Sequence, residues 1–409
     1  MRRGKRLRCI FILPVLLLLA YLGASLSNVL SAGEREKRLP EQTPGPFSPD
    51  VTVGSGFPAD DGFREPEGID FPVRRLLYRG LSEKEREAYR ALYDAVLEHR
   101  ETVYIPLLSA EELGNVHAAL KYDNPQLPCI SDAFSYGSIG GLCYVKMAYD
   151  YTKAECEALR AALVSAARAV CAGCADRDDY ERELYLHDSL IRGSVYAEEG
   201  ADANTAVGTL LKGRGVCAGY ALGMKLLCDI SGLESCVVRG TAESETGAEA
   251  HAWIVVRIGG NWYHVDPTWD DPVNESSRDQ LTHAYFNLPT DWIGADHTDF
   301  TLPEGISCDS TEENFYVRAG LYCGADDWQD AVRDRLADRL PDLPAEVELR
   351  FADAGQFDEA YADLMDGAIN RLMNELIRGS GYPIERWRVS VQTFRSMNCL
   401  HLIISEDND

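Results

Sequence analysis

Three residue types that together perform acyl transfer stand close along this chain: a cysteine, Cys217, a histidine, His251, and an aspartate, Asp266. Cys217 lies in Gly213-Arg214-Gly215-Val216-Cys217-Ala218-Gly219-Tyr220. Glycines on both sides let the backbone turn tightly and approach a substrate closely. The apolar spacing after it, Ala221, Met224, Leu227 and Cys228, predicts a helix whose first residue is Cys217. At that position the outward N–H groups and the helix dipole favour thiolate over thiol, and the same groups could bind an oxyanion.

His251 heads His251-Ala252-Trp253-Ile254-Val255-Val256, which reads as the entrance of a strand after a polar loop, Thr241 to Glu249. Asp266 comes next in Val265-Asp266-Pro267-Thr268-Trp269-Asp270. Each residue alone has an ordinary structural role, a satisfied histidine or a turn aspartate. Strand geometry joins them. With Gly259-Gly260 as a two-residue hairpin turn, Ile258 pairs with Asn261 and position 253 falls opposite 266. Residues 251 and 253 share a face, so His251 and Asp266 project together one diagonal step apart. A three-residue turn would put them on opposite faces unless a bulge intervened. In the first arrangement Asp266 fixes the imidazole tautomer and leaves the other ring nitrogen for Cys217, which is the layout of nucleophilic catalysis through an acyl-enzyme. This chemistry needs no cofactor.

Gly215-Val216-Cys217-Ala218-Gly219-Tyr220, His251-Ala252-Trp253 and Val265-Asp266-Pro267-Thr268, in that order and spacing, resemble the Cys-His-Asp motifs of the transglutaminase-like superfamily. The extension Trp269-Asp270-Asp271-Pro272, the later Tyr285-Phe286-Asn287 and Asp296-His297, and the upstream His187-Asp188 and Tyr196 are similar to bacterial members. The resemblance covers about 181–300. It implies a papain-like core in which a Cys-bearing helix packs on an antiparallel sheet bearing His and Asp, and an activity toward peptide or glutamine-type amides. Gly215, Tyr220, Trp253 and Tyr196 are then expected around the substrate, with Tyr196 a candidate oxyanion donor. The β-sandwich domains and calcium sites of the mammalian cross-linking enzymes have no counterpart in the sequence, which puts calcium-dependent cross-linking in doubt. A cysteine peptidase of the same fold, or a non-catalytic surface binding or scaffold module, is the alternative reading.

No metal site is expected. Cys171-Ala172-Gly173-Cys174 has metal or redox spacing, but the chain has no second such pair after it. Asp270 and Asp271 could take a cation, though two aspartates before a proline more often shape a turn.

These residues need elements to position them, and the chain supplies an α+β order. Residues 1–8 form a basic tail, and 9–27 an apolar run long enough for a helix of roughly 27 Å, read as a signal-anchor or a cleaved signal peptide. Either reading puts the remainder of the chain outside the cytoplasm. Residues 28–72 are a proline- and glycine-rich linker, and 73–180 a helical domain opened by Ser82/Glu85, Ser109/Glu112 and Thr152/Glu155 capping boxes around an irregular or short β stretch, 136–144. Residues 181–300 form the catalytic domain, and 301–409 a small α/β domain. In this last unit 314–322 reads as a strand, Tyr361 to Leu376 as one long helix, and 387–394 with 399–405 as a hairpin.

With 40 basic against 66 acidic residues, the net charge is −26 and no basic stripe with interleaved aromatics occurs, which argues against nucleic acid as a partner. The expected partners are a protein or peptide substrate, cell-wall peptide included, and the membrane through the N-terminal helix. Twelve cysteines are too few for a disulfide scaffold at this length, although some could pair.

Overall fold

Capping chemistry starts the helices where the sequence announces them. The structure is a computed structural model that describes residues 37–38, 62–200, 202–244, 247–271, 281–337, 339, 343–380 and 386–406. The tail at 1–8, the apolar run at 9–27 and most of the linker lie outside the described residues. Among the described residues no helix is long and apolar enough to cross a membrane.

After a short strand β1 (Lys37–Arg38), the first folded segment holds α1 (Leu76–Gly80), α2 (Glu83–Glu98), β2 (Thr102–Pro106), α3 (Ala110–Asp123), β3 (Phe134–Ile139), β4 (Leu142–Met147) and α4 (Lys153–Cys171). Ser82, Ser109 and Thr152 each accept from the N–H three residues on, and the glutamate there returns to the cap, so all three expected capping boxes form. The region is less helical than its sequence reads. Strands β2, β3 and β4 join β1 in a four-stranded sheet of order β1-β3-β4-β2, and the glycine-tyrosine stretch supplies a hairpin with Gly140 and Gly141 at positive φ. A disulfide, Cys129–Cys156, ties the loop after α3 to the first turn of α4.

The central segment runs α5 (Asp179–Arg192), α6 (Ala206–Lys212), α7 (Cys217–Ser231), β5 (Glu234–Ser244), β6 (Gly247–Ile258), β7 (Asn261–Val265), α8 (Thr290–Ile293) and β8 (His297–Thr298). The four strands form one sheet, β7-β6-β5-β8, with every pairing antiparallel. Helix α7 packs its buried residues, Tyr220, Met224, Leu227 and Cys228 among them, on β5 and β6. The expected polar loop at 241–249 is mostly strand: β5 continues to Ser244 and β6 begins at Gly247. His251 therefore lies inside β6, opposite Gly240, with a strand neighbour to hold its backbone.

The last segment contains α9 (Phe315–Ala319), β9 (Tyr322–Cys323), α10 (Trp328–Leu336), β10 (Ala345–Phe351), α11 (Ala354–Asp363), α12 (Ile369–Ser380), β11 (Trp387–Phe394) and β12 (Cys399–Glu406). Its sheet has the order β11-β12-β10-β9. Two expectations are corrected here. Residues 314–322 are mainly helix, because Asn314 caps α9 through the Tyr316 N–H. The single long helix is two, separated at Gly367, whose φ of 86° no α-helix accommodates. The final hairpin forms as read, with Phe394 opposite Cys399.

Candidate active site

The hairpin turn decides which side chains meet. Gly259 (φ 59°) and Gly260 (φ 92°) make a two-residue turn that only glycine enters without strain, and Ile258 pairs with Asn261. The ladder ends at Ile254–Val265, so Asp266 steps off β7, and its N–H donates to Tyr285 O at 3.0 Å. On the shared face His251 Nε2 lies 2.6 Å from Asp266 Oδ2. The other carboxylate oxygen accepts from the Thr268 N–H at 2.9 Å and the Trp269 N–H at 3.4 Å, fixing the carboxylate in its plane. Nδ1 of His251 is left for the sulfur of Cys217, with which the ring makes a hydrogen bond.

Cys217 is the first residue of α7, capped by extended Val216, and its half-buried sulfur borders a cleft of about 590 Å³. Burial works to raise the Cys217 thiol, but the hydrogen bond and charge of His251, with a contribution from the Ala252 N–H, outweigh it and bring the thiol below its ordinary value. Burial likewise opposes protonation of His251. The Asp266 charge and hydrogen bond, and then Cys217, overcome it and push the imidazole up to about 10. Asp266, though buried, is held below the usual carboxylate range by His251 and His297. All three shifts favour the charged form, the thiol and the carboxyl lowered and the imidazole raised, so the thiolate–imidazolium pair is favoured.

The fourth member of this group, His297, is not among the candidates read from the sequence. Its Nε2 lies 3.1 Å from Asp266 Oδ2, and its Nδ1 2.6 Å from Asp296 Oδ1. Asp296 also accepts from the Tyr285 hydroxyl at 2.7 Å, and that hydroxyl sits 3.1 Å from Ser396 Oγ in the last hairpin. Asp266 is thus shared between two imidazoles and anchored from the far side. The neighbouring Asp-His dipeptide is visible in the sequence, but nothing in its spacing announces that partner.

The remaining expected residues divide into two groups. Tyr196 lines the cleft with Cys217, bridged through its backbone to Gly215, and is 41% exposed. Gly215, Tyr220 and Trp253 do not line it. Tyr220 is fully buried, with its hydroxyl bonded to Asp271. Trp253 is fully buried behind the site, stacked at 6.0 Å on His251, with its indole N–H donating to His264 Nδ1 at 2.9 Å. Residues on alternate strand positions share a face, and of these two only His251 borders the cleft. Trp269, which the sequence reads as shaping the cleft or core, lines the cleft, and Thr268 and Phe394 line it without having been singled out as contacts.

Gly215 and Gly219 serve backbone packing more than substrate approach. A Cβ on Gly219 would lie 2.4 Å from Ala203 O, and one on Gly215 2.9 Å from the same oxygen. Ala203 O also accepts from the Val216 N–H at 2.9 Å, so this contact seats the start of α7. Gly219→Ala is expected to force the 203–205 loop off the helix, lowering stability by about 1–3 kcal/mol. Thermal denaturation checks this, and an unchanged melting temperature would show that the loop yields at no cost.

Asp270 and Asp271 are fixed by protein groups. Asp270 is fully buried and accepts from the Thr282 hydroxyl and the Tyr285 N–H. Cys171 and Cys174 are free thiols at the end of α4, both raised by burial, which is the wrong direction for a reactive pair.

The family model of the transglutaminase-like superfamily matches residues 168–267. Over 77 residues the chain is 30% identical to kyphoscoliosis peptidase of Mus musculus, a match that spans 17% of this chain and 12% of that protein. Among solved structures, one titled as a TGase is 13% identical, with 42% of this chain and 52% of that one covered and a TM-score of 0.24. The periplasmic domain of TgpA from Pseudomonas aeruginosa is 17% identical, with 34% and 56% covered and a TM-score of 0.22. The chain spans about an eighth of the curated relative and about half of each solved one. With a Cys-bearing helix packed on an antiparallel sheet that carries His251, Asp266 at its edge, and the family match over the same residues, the chain carries a domain of the transglutaminase-like superfamily.

Proposed function

We propose that the chain is a cysteine enzyme that opens peptide or glutamine-type amides through an acyl-enzyme, with Cys217 as nucleophile, His251 as acid and base, and Asp266 as the group that orients and charges His251. The observation that carries this reading is the sharing of one cleft by Cys217 and His251, with Asp266 2.6 Å behind the ring. The Cys217 thiolate attacks the amide carbonyl, and the C–N bond breaks as the His251 imidazolium gives its proton to the leaving amine. Neutral His251 then takes a proton from water or a second amine as that group attacks the thioester, and the thiolate is regenerated. The N-terminal amides of α7, with the Tyr196 hydroxyl at the cleft, are the candidate donors to the oxyanion.

The proposed setting is extracytoplasmic and tethered by the apolar segment at 9–27. The Cys129–Cys156 disulfide supports this, since such bonds persist in oxidising compartments. That setting favours a protein or peptide substrate, with cell-wall peptide among the candidates.

The test is to incubate the protein with a peptide library or cell-wall digest, quench in acid, and identify adducts by mass spectrometry. A thioester on Cys217, released by water or by added amine, is expected. Absence of any Cys217 adduct across peptides, with the thiol intact, would leave a binding module in place of an enzyme.

A further inference from the structure

A second histidine–carboxylate group lies away from the cleft. His187 and Asp188 are on α5, and His283 is in the segment that leads to Tyr285. Asp188 Oδ1 is 3.2 Å from His187 Nδ1 and 3.1 Å from His283 Nε2, and each of the three residues offers one ligand atom within 4.8 Å of those of the other two. We propose that His187 Nδ1, Asp188 Oδ1 and His283 Nε2 bind one divalent transition ion of the zinc class, as a structural site that fastens α5 to the 281–288 segment and to β10.

The spacing fits. Bonds of about 2.0–2.1 Å in a tetrahedral zinc site put ligand atoms roughly 3.3 Å apart. The candidate active site differs in this respect: its His251–Asp266 separation of 2.6 Å is that of a hydrogen bond and too short for two ligands of one ion. The outer nitrogens complete the pattern. His283 Nδ1 meets Glu348 Oε1 at 2.7 Å, and His187 Nε2 lies 3.2 Å from Asp270 Oδ2. Metal-bound histidines turn their second nitrogen toward a carboxylate in this way. Glu348 is itself fixed, accepting the His283 N–H at 2.8 Å and the Tyr316 hydroxyl at 3.0 Å.

Hydrogen bonding alone serves the group poorly. A neutral imidazole carries one N–H. Each ring here has a carboxylate oxygen near both nitrogens, so with neutral rings and ionised carboxylates two of the four contacts lack a proton, in a buried place where the ring centroids lie 5.7 Å apart. One divalent ion between the inner nitrogens takes the place of both missing protons and leaves each ring an N–H for its outer carboxylate. His187 Nε2 and Asp270 Oδ2, although close, are too poorly aligned for a hydrogen bond, and both residues are fully buried. An ion on the far side of the ring would fix its orientation. Two imidazole nitrogens and one carboxylate suit zinc better than calcium, which takes six to eight oxygens. Asp188, 17% exposed, gives solvent access for a water to complete the set.

The test uses the full chain, purified without a polyhistidine tag, loaded with zinc, desalted and assayed by elemental mass spectrometry. About one zinc per chain is expected, with a rise in melting temperature on loading. Retention should fall at least about tenfold in Asp188→Asn/His283→Gln and persist in His297→Gln. Cobalt substitution should give visible absorption that the double variant lacks, and Asp188→Asn alone serves if the double variant does not fold. Failure of the unaltered chain to retain zinc or shift its melting temperature would leave a hydrogen-bonded network and overturn the proposal. Zinc kept by the double variant but lost from His297→Gln would overturn it equally, by moving the ion to the cleft.

Discussion

His251→Ala is expected to lower kcat/KM by about 10³–10⁶-fold, since members of one catalytic unit fail together. The same variant should move the pH profile of Cys217 alkylation upward. In the native protein burial raises the thiol, and the charge and hydrogen bond of His251 more than cancel it. Removing the ring leaves only the Ala252 N–H against burial, so the thiolate forms only at higher pH. Iodoacetamide at about pH 6 should therefore label Cys217 selectively in the native protein and not in the variant. Buried cysteines differ: Cys236 and Cys399 are fully buried, and burial raises both thiols. Equal, slow labelling of several cysteines in both proteins would remove the activated-thiolate reading.

Asp266→Asn is expected to cost about 10³–10⁴-fold in kcat with little change in KM. Asparagine keeps an oxygen for the Thr268 and Trp269 N–H groups, so the turn should survive. Its amide would face His251 Nε2 as a donor, forcing the proton to Nδ1, where the free nitrogen is needed toward Cys217. The charge is lost as well. Asp266 is the chief reason that His251 stands at about 10 despite burial, so the imidazolium would persist only to lower pH. The active window opens as the thiol ionises and closes as the imidazolium deprotonates. Its alkaline limb, expected near 10 in the native protein, should therefore move toward neutrality. A pH–rate profile measures this, and an unmoved alkaline limb would show that Asp266 does not set the charge of His251.

The group was legible because its parts are local. A helix start, a strand period of two and a two-glycine turn bring Cys217, His251 and Asp266 to one face, and each leaves a pattern over a few residues. The elements misread were those whose state tertiary packing decides. Strand β5 lies beside β6 with no strong turn signal between them, and the 314–322 segment alternates like a strand while Asn314 caps a helix. The contacts of His297 and Phe394 with the site were not legible for a different reason, although Asp296-His297 itself resembles a family motif. Both residues reach the site across sequence separations of 31 and more residues, through pairings that no local period encodes. Trp253 illustrates the converse, where the correct face was read but the depth was not.

Phe394 closes one side of the cleft and Ser396 steadies Tyr285, yet both belong to the terminal hairpin, far outside the matched residues 168–267. On the proposed function, the nucleophile and this wall of the cleft thus occupy separate stretches of the gene. Exchanging the hairpin could retune which amide is admitted while the reacting atoms stay as they are. A fragment cut at the family boundary would keep the nucleophile and lose a wall of its chamber.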